Sequence, residues 1–184
     1  MTLGTKNIKD VTIHSLQNQI HYATKHGYSF IAYDDTMVPF DIVTWNKVFV
    51  IQKHLDNFEW VMWIDSDAIF TNMNITINEI IKSCDKDMII ADDIGGWKMN
   101  TGVMFWKNTD WSKNILNKWC NMRKISHAQG AEQQQLIHLL ENESNFEIKK
   151  RNLFNSHPDE HKSSDFILHM MGKSSEERKN KFIE

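Results

Sequence analysis

Two carboxylates two residues apart, Asp65 and Asp67, stand at the end of an unbroken apolar run, Trp60-Val61-Met62-Trp63-Ile64. A strand interior cannot bury two charges unaided, so the acids must emerge at the strand's carboxyl end or meet a cation. Side chains at i and i+2 lie on one side of an extended chain, which lets both oxygens reach one divalent ion. Oxygen donors of this kind suit Mg²⁺ or Mn²⁺. Taken alone, the pair fits two solvated loop acids equally well. A second apolar run, Phe166-Ile167-Leu168, ends in His169, followed by Gly172 and Lys173. A lone histidine on such a stretch is ordinarily a core residue. Beside Asp65 and Asp67 it would supply the nitrogen of a mixed site, pointing to Mn²⁺, with Lys173 close enough to hold a phosphate as a point charge. That set would clamp a diphosphate leaving group.

These residues need a scaffold. Asp10 caps a helix whose Ile13, Leu16, Ile20 and Ala23 recur at helical spacing up to Gly27. Tyr28–Tyr33 reads as a short strand and Asp41–Asp56 as a helix. Trp60–Ile64 reads as a strand buried on both faces. Ile77–Cys84 is a short helix; Met88–Ala91 and Gly102–Trp106 are strands. Helices follow near Asp110–Ile125 and Ala131–Glu141, then short strands at Phe146–Lys149 and Phe166–His169. Alternation of this kind implies an α/β fold with a mostly parallel sheet, in which ligands bind at the carboxyl ends of the strands.

At 184 residues the chain suits one domain. With 21 Lys+Arg against 24 Asp+Glu, its net charge of -3 lacks the basic footprint of a nucleic-acid binder. No apolar run approaches the roughly 20 residues of a membrane helix, and Met1–Asp10 has no signal-peptide core. These features favour a cytoplasmic chain, with the Golgi lumen open only if an anchor has been lost. The charged run 174–184 reads as a solvated helix or frayed tail, leaving 1–173 as the catalytic domain.

The sequence resembles glycosyltransferase family 34, the galactosyl- and xylosyltransferases of fungal mannan and plant xyloglucan synthesis. The matching blocks run in order. They are His21-Tyr22-Ala23 with His26-Gly27-Tyr28, Trp45 with Lys47, Trp60 to Phe70, Asn100-Thr101-Gly102 with Trp106 to Ser112, Glu132-Gln133, and Asp165-Phe166 through His169 and Gly172. The resemblance implies a single-domain GT-A fold with a Rossmann-like sheet flanked by helices. It also implies a UDP-sugar donor, a glycan or other hydroxyl acceptor, Mn²⁺ and retention of configuration. By position, Asp65, Asp67 and His169 resemble the metal ligands, and Asp65, Ser66, Asn100 and Gly172 belong to the donor site. Glu132 and Gln133 match the acid/amide pair at the sugar-transfer face, while Lys173 falls near the family's diphosphate-binding basic position. The first nucleotide-binding strand is cut to a few residues, and the family's anchor and stem are missing.

The remaining residues are weighed on their own chemistry. Glu132, in a first helical turn, also fits ordinary dipole compensation. Asp93, after a strand and before Gly95-Gly96, suits a sugar-hydroxyl contact or a turn. Trp97 beside those glycines could stack on an acceptor sugar. Three alternatives stay open: a GT-A family with a C-terminal HxxGxxK motif, a haloacid-dehalogenase-like phosphatase built on Asp65-Ser66-Asp67 and Asp92-Asp93, and a nucleotide-sugar-binding module without turnover.

Overall fold

In the computed structural model, residues 1–5, 9–123 and 131–183 are described. The chain runs β1 (Thr2–Gly4), α1 (Lys9–His26), β2 (Ala32–Asp34), α2 (Asn46–Leu55), β3 (Trp60–Ile64) and β4 (Ala68–Phe70). It continues with α3 (Ile77–Lys82), β5 (Met88–Ala91), β6 (Asn100–Lys107), α4 (Asp110–Met122) and α5 (Ala131–Leu139). It closes with β7 (Phe146–Lys149), β8 (Ile167–His169) and α6 (Ser175–Ile183). The expected elements are present, with one strand displaced: Tyr28–Tyr33 narrows to β2 at Ala32–Asp34. The expected end of the fourth helix at Ile125 lies outside the described residues.

The central sheet has the order β3-β6-β5-β7. β6 pairs antiparallel with both β3 and β5, while β5 and β7 are parallel. β1 pairs with β2 in parallel, and its start joins β3: the Met1 nitrogen donates to the Met62 carbonyl, and Ile64 N to the Met1 carbonyl. A residue bonding j−1 and j+1 in this way is the parallel pattern. The sheet is therefore mixed. Its strands share one direction except for β6, which runs against its neighbours, so the expectation of a mostly parallel sheet holds for strand direction but not for the pairings at its centre.

Period-two alternation divides the core. Met88 and Ile90 of β5 and Met104 and Trp106 of β6 face one apolar cluster with Trp45, Val48, Ile51, Trp63, Leu116 and Trp119. Ile89, Ala91, Val103 and Phe105 face the other, with Tyr22, Phe70, Phe154 and Phe166. β3 departs from its expected burial on both faces. Val61 and Trp63 are buried against α2, whereas Trp60 and Met62 are half-exposed beside a cavity lined by Tyr28, Phe58 and Ile81.

Helix ends follow local chemistry. Gly27, at φ 70°, closes α1: Gly27 N donates to Thr24 and Tyr28 N to Ala23, a Schellman pattern open to glycine at a left-handed backbone. Thr76 and Glu79 form a reciprocal capping box at the start of α3. Ser174 and Glu177 do the same before α6, where Ser174 N donates to Glu177 Oε2 and Glu177 N to Ser174 Oγ. This box explains why so polar a segment is helical. Among the described residues, no helix is long and apolar enough to cross a membrane.

Candidate metal centre

β3 delivers Asp65 to the edge of the sheet, where Asp65 N donates to the Gly102 carbonyl of β6 at 2.8 Å. The two acids do not converge on an extended chain. Ala68 N donates to the Asp65 carbonyl at 3.1 Å, so residues 65–68 form a turn that brings the carboxylates together. β4 leaves this turn and pairs antiparallel with β8, placing Ala68 opposite His169. Met170 N then donates to the Asp67 carbonyl at 2.9 Å. Residues about a hundred positions apart in sequence thereby share one site. His169 Nε2 lies 3.1 Å from Asp67 Oδ1 and 3.9 Å from Asp65 Oδ2.

The donor set fits a divalent ion. Asp65, Asp67 and His169 each offer one ligand atom, all within 4.8 Å of one another. For ligands at about 2.1 Å, neighbouring octahedral donors stand roughly 3 Å apart and opposite ones roughly 4 Å. A second observation concerns the imidazole. Asn155 Nδ2 donates to Asn100 Oδ1 at 3.0 Å, and Gly102 N donates to the same oxygen at 2.9 Å. Asn155 must therefore turn its own Oδ1 to His169 Nδ1, at 2.9 Å, which makes Nδ1 a proton donor whether or not the ring is charged. Nε2 is left aimed at the carboxylates. Histidines that bind metals are held in this way, by a hydrogen bond from the other ring nitrogen.

Gly102 leaves room for that ring. A Cβ at this position would overlap His169, with Nδ1 at 2.5 Å, and press on Asn100 Oδ1 at 2.9 Å. Gly102→Ala is expected to displace the imidazole, lowering stability by about 1 to 3 kcal/mol and weakening divalent-ion binding. Denaturant unfolding and calorimetric Mn²⁺ titration check the two effects; unchanged Mn²⁺ affinity would remove His169 from the ligand set.

Charge in the site is tightly balanced. Lys47, from α2, is buried with its amine 3.2 Å from Asp65 Oδ1 and 3.8 Å from Glu132 Oε1. Burial alone would lower this amine's pKa, but the Asp65 and Glu132 carboxylates override it and hold the amine above the ordinary lysine range. Trp63 Nε1 donates to Asp65 Oδ1 at 2.6 Å. Arg178, from α6, places Nη2 2.8 Å from Asp67 Oδ2. Burial would raise the Asp67 carboxyl; the charges of His169 and Arg178, with the His169 hydrogen bond, hold it down at about 2. His169 moves the other way. Burial disfavours its cation, and Asp67 more than compensates.

The other expected residues fall as follows. Gln133 is held at both ends of its amide: Thr101 N donates to Oε1 and Nε2 donates to Asp93 Oδ2, each at 3.0 Å. Glu132 is buried behind Lys47, and its Oε2 has no partner among the described residues. Asn100 Oδ1 serves Asn155 and Gly102, so the geometry ties it to His169. Ser66 is buried in the turn and its carbonyl accepts from Ser15 Oγ. Gly172, at φ 74°, turns the chain between β8 and α6. Lys173 is paired with Asp159 at 2.8 Å on the surface. Asp92 accepts from Arg151 N at 2.6 Å and has the Arg151 and Lys150 cations 3.6 Å away.

The family profile described as "Protein of unknown function, DUF273" matches residues 20–173. The chain belongs to this family. Its curated relatives include a probable glycosyltransferase 6 of Oryza sativa subsp. indica, 25% identical in a 125-residue alignment that covers 60% of this chain and 25% of that protein. An alpha-1,2-galactosyltransferase of Schizosaccharomyces pombe is 25% identical in a 166-residue alignment that covers 68% of this chain and 44% of that protein. The chain thus spans between a quarter and a half of the length of these relatives. Among solved structures, a glycosyltransferase involved in glycosylation of the major capsid of PBCV-1 superposes with a TM-score of 0.82. It is 20% identical, covering 99% of this chain and 98% of that one. The galactosyltransferase LgtC, in complex with donor and acceptor sugar analogues, gives a TM-score of 0.62 at 10% identity, covering 98% and 93%. The DUF273 chain described here therefore has the single-domain α/β fold of GT-A glycosyltransferases.

Sequence reasoning left several residues of this DUF273 site without a role. Lys47 stands in a family-like block with Trp45, but nothing in its spacing announces a buried amine. Asn155 follows a short 3-10 turn and carries no motif. Arg178 belongs to a charged run whose composition reads as solvated surface.

Proposed function

We propose that this chain is the catalytic core of a divalent-metal-dependent glycosyltransferase that moves a sugar from a UDP-sugar to a glycan or other hydroxyl acceptor with retention of configuration. The observation that carries the reading is the convergence of Asp65, Asp67 and His169, with the His169 tautomer set by Asn155. Mn²⁺ is the ion we assign, and it would supply electrostatic stabilisation of the charge on the departing diphosphate. The glycosyltransferase relatives and the family-34 resemblance support the donor class.

The chain's own residues divide the remaining work. Lys47 and Trp63 hold Asp65; His169 and Arg178 hold Asp67. Gln133, fixed between Thr101 and Asp93, is assigned to the sugar-transfer face, and Asp93 to a sugar hydroxyl. A double displacement needs a carboxylate nucleophile beside the anomeric carbon. Glu132 is only 4% exposed and faces Lys47, while Asp93 is bonded to Gln133. This favours substitution on one face of the sugar, with the leaving diphosphate accepting the acceptor's proton. The phosphatase reading has less support, because Asp92 is engaged by Arg151 and Lys150.

Product stereochemistry tests the reading. With Mn²⁺ and an α-linked UDP-hexose or UDP-pentose, NMR of the first product is expected to show an α-anomeric linkage; a β-linked product would overturn retention. Gln133→Ala is expected to lower kcat by about 10²- to 10³-fold, the cost of losing one aligned polar group at a transition state, with UDP affinity unchanged. A kcat within threefold of the parent would remove Gln133 from the sugar-transfer face.

A further inference from the structure

We infer that Arg178 is a positioning residue for Asp67, and that the free edge of its guanidinium forms the anion-binding element that the sequence assigns to Lys173. The inference rests on the reading of Asp65, Asp67 and His169 as a cation site. α6 buries none of its residues and packs against α1, yet one of its side chains reaches the site. Arg178 Nη2 meets Asp67 Oδ2 at 2.8 Å, and Nε donates to the Met170 carbonyl at 3.2 Å. Met170 N in turn donates to the Asp67 carbonyl. The planar guanidinium thus grips both the Asp67 carboxylate and the segment leaving β8.

The carboxylate is divided by this grip. Oδ2 goes to Arg178, and Oδ1 faces His169 Nε2 at 3.1 Å. An aspartate free to rotate would spread its oxygens over several orientations; one held at Oδ2 presents a single oxygen to the cation. Partners of this indirect kind typically contribute 10- to 100-fold to metal affinity. Nη1 has no partner among the described residues, and the side chain is 19% exposed, so part of the cation remains open. Lys173 is less available. Its amine is committed to Asp159 at 2.8 Å, and that hydrogen bond holds the Lys173 amine up and the Asp159 carboxyl down.

Mn²⁺ titration by calorimetry, with and without UDP, tests the inference on the parent chain, R178Q, R178K and K173Q. R178Q is expected to lose Mn²⁺ affinity about tenfold or more, and R178K to recover part of it by restoring charge without the fork. With Mn²⁺ saturating, UDP affinity is expected to fall about tenfold in R178Q and to stay within twofold in K173Q. Mn²⁺ affinity in R178Q within twofold of the parent would overturn the positioning role. A loss that R178K does not relieve, with an equal drop in melting temperature in both variants, would overturn it too by marking Arg178 as a helix anchor. A larger UDP loss in K173Q than in R178Q would return the anion to Lys173. If the parent binds no Mn²⁺ with or without UDP, the cation site itself fails, and the inference with it.

Discussion

Asp67→Asn is expected to abolish Mn²⁺-dependent UDP binding while leaving the fold intact. The substitution keeps the size of the side chain and removes its charge, so Oδ1 no longer attracts a cation and His169 loses the partner that holds up its pKa. Even partners one step removed from a metal change affinity 10- to 100-fold, so a direct ligand is expected to cost at least about a hundredfold. Titration of Mn²⁺ in the presence of UDP reads the loss, and circular dichroism reads the fold. Undiminished Mn²⁺-dependent binding in Asp67→Asn would remove the aspartate from the site.

Lys47→Met is expected to produce the largest loss of stability of any single change near the site. The amine is nearly inaccessible and lies between Asp65 and Glu132, whose side chains are 27% and 5% exposed. Removing one partner of a buried charge set leaves the others uncompensated, at a cost of about 3 to 5 kcal/mol. The companion change Glu132→Gln removes one of those stranded charges. In Lys47→Met it is therefore expected to restore part of the stability, whereas alone it leaves Lys47 with Asp65. Urea unfolding of the single and double variants checks this coupling. Additive losses would show that Lys47 and Glu132 do not act as a unit.

Much of this arrangement was legible in the sequence, for identifiable reasons. β3 and β5 occupy the expected residues because continuous apolar runs bounded by charge leave little choice of register, and β7 does so because Phe146-Glu147-Ile148-Lys149 alternates apolar with charged residues. Asp65 and His169 were legible because each follows directly on an apolar run, and Asp67 because it stands two residues beyond Asp65. What was not legible is what the turn and the tail do. The Asp65-to-Ala68 hydrogen bond, and not strand geometry, brings the two acids together. The antiparallel centre of the sheet escaped because an apolar run carries no mark of its direction. Asn155 and Arg178 escaped because their roles arise only through partners far along the chain: Asn155 through Asn100, and Arg178 through a helix that a Ser174–Glu177 capping box starts beside the site. The capping box is a sequence signal that decides between the helix and the frayed tail left open for this run, though it does not show what the helix reaches.

Release of UDP from a panel of UDP-sugars distinguishes the metal-dependent, UDP-sugar-using transferase proposed above from its rivals. At least one UDP-sugar is expected to be turned over with Mn²⁺, chelator to stop the release, and Asp67→Asn not to support it. UDP release unaffected by chelator would contradict the metal's role. Mn²⁺-dependent UDP binding with no turnover of any donor would make the chain a binding module, and steady phosphate release from a phosphate ester would make it a phosphatase.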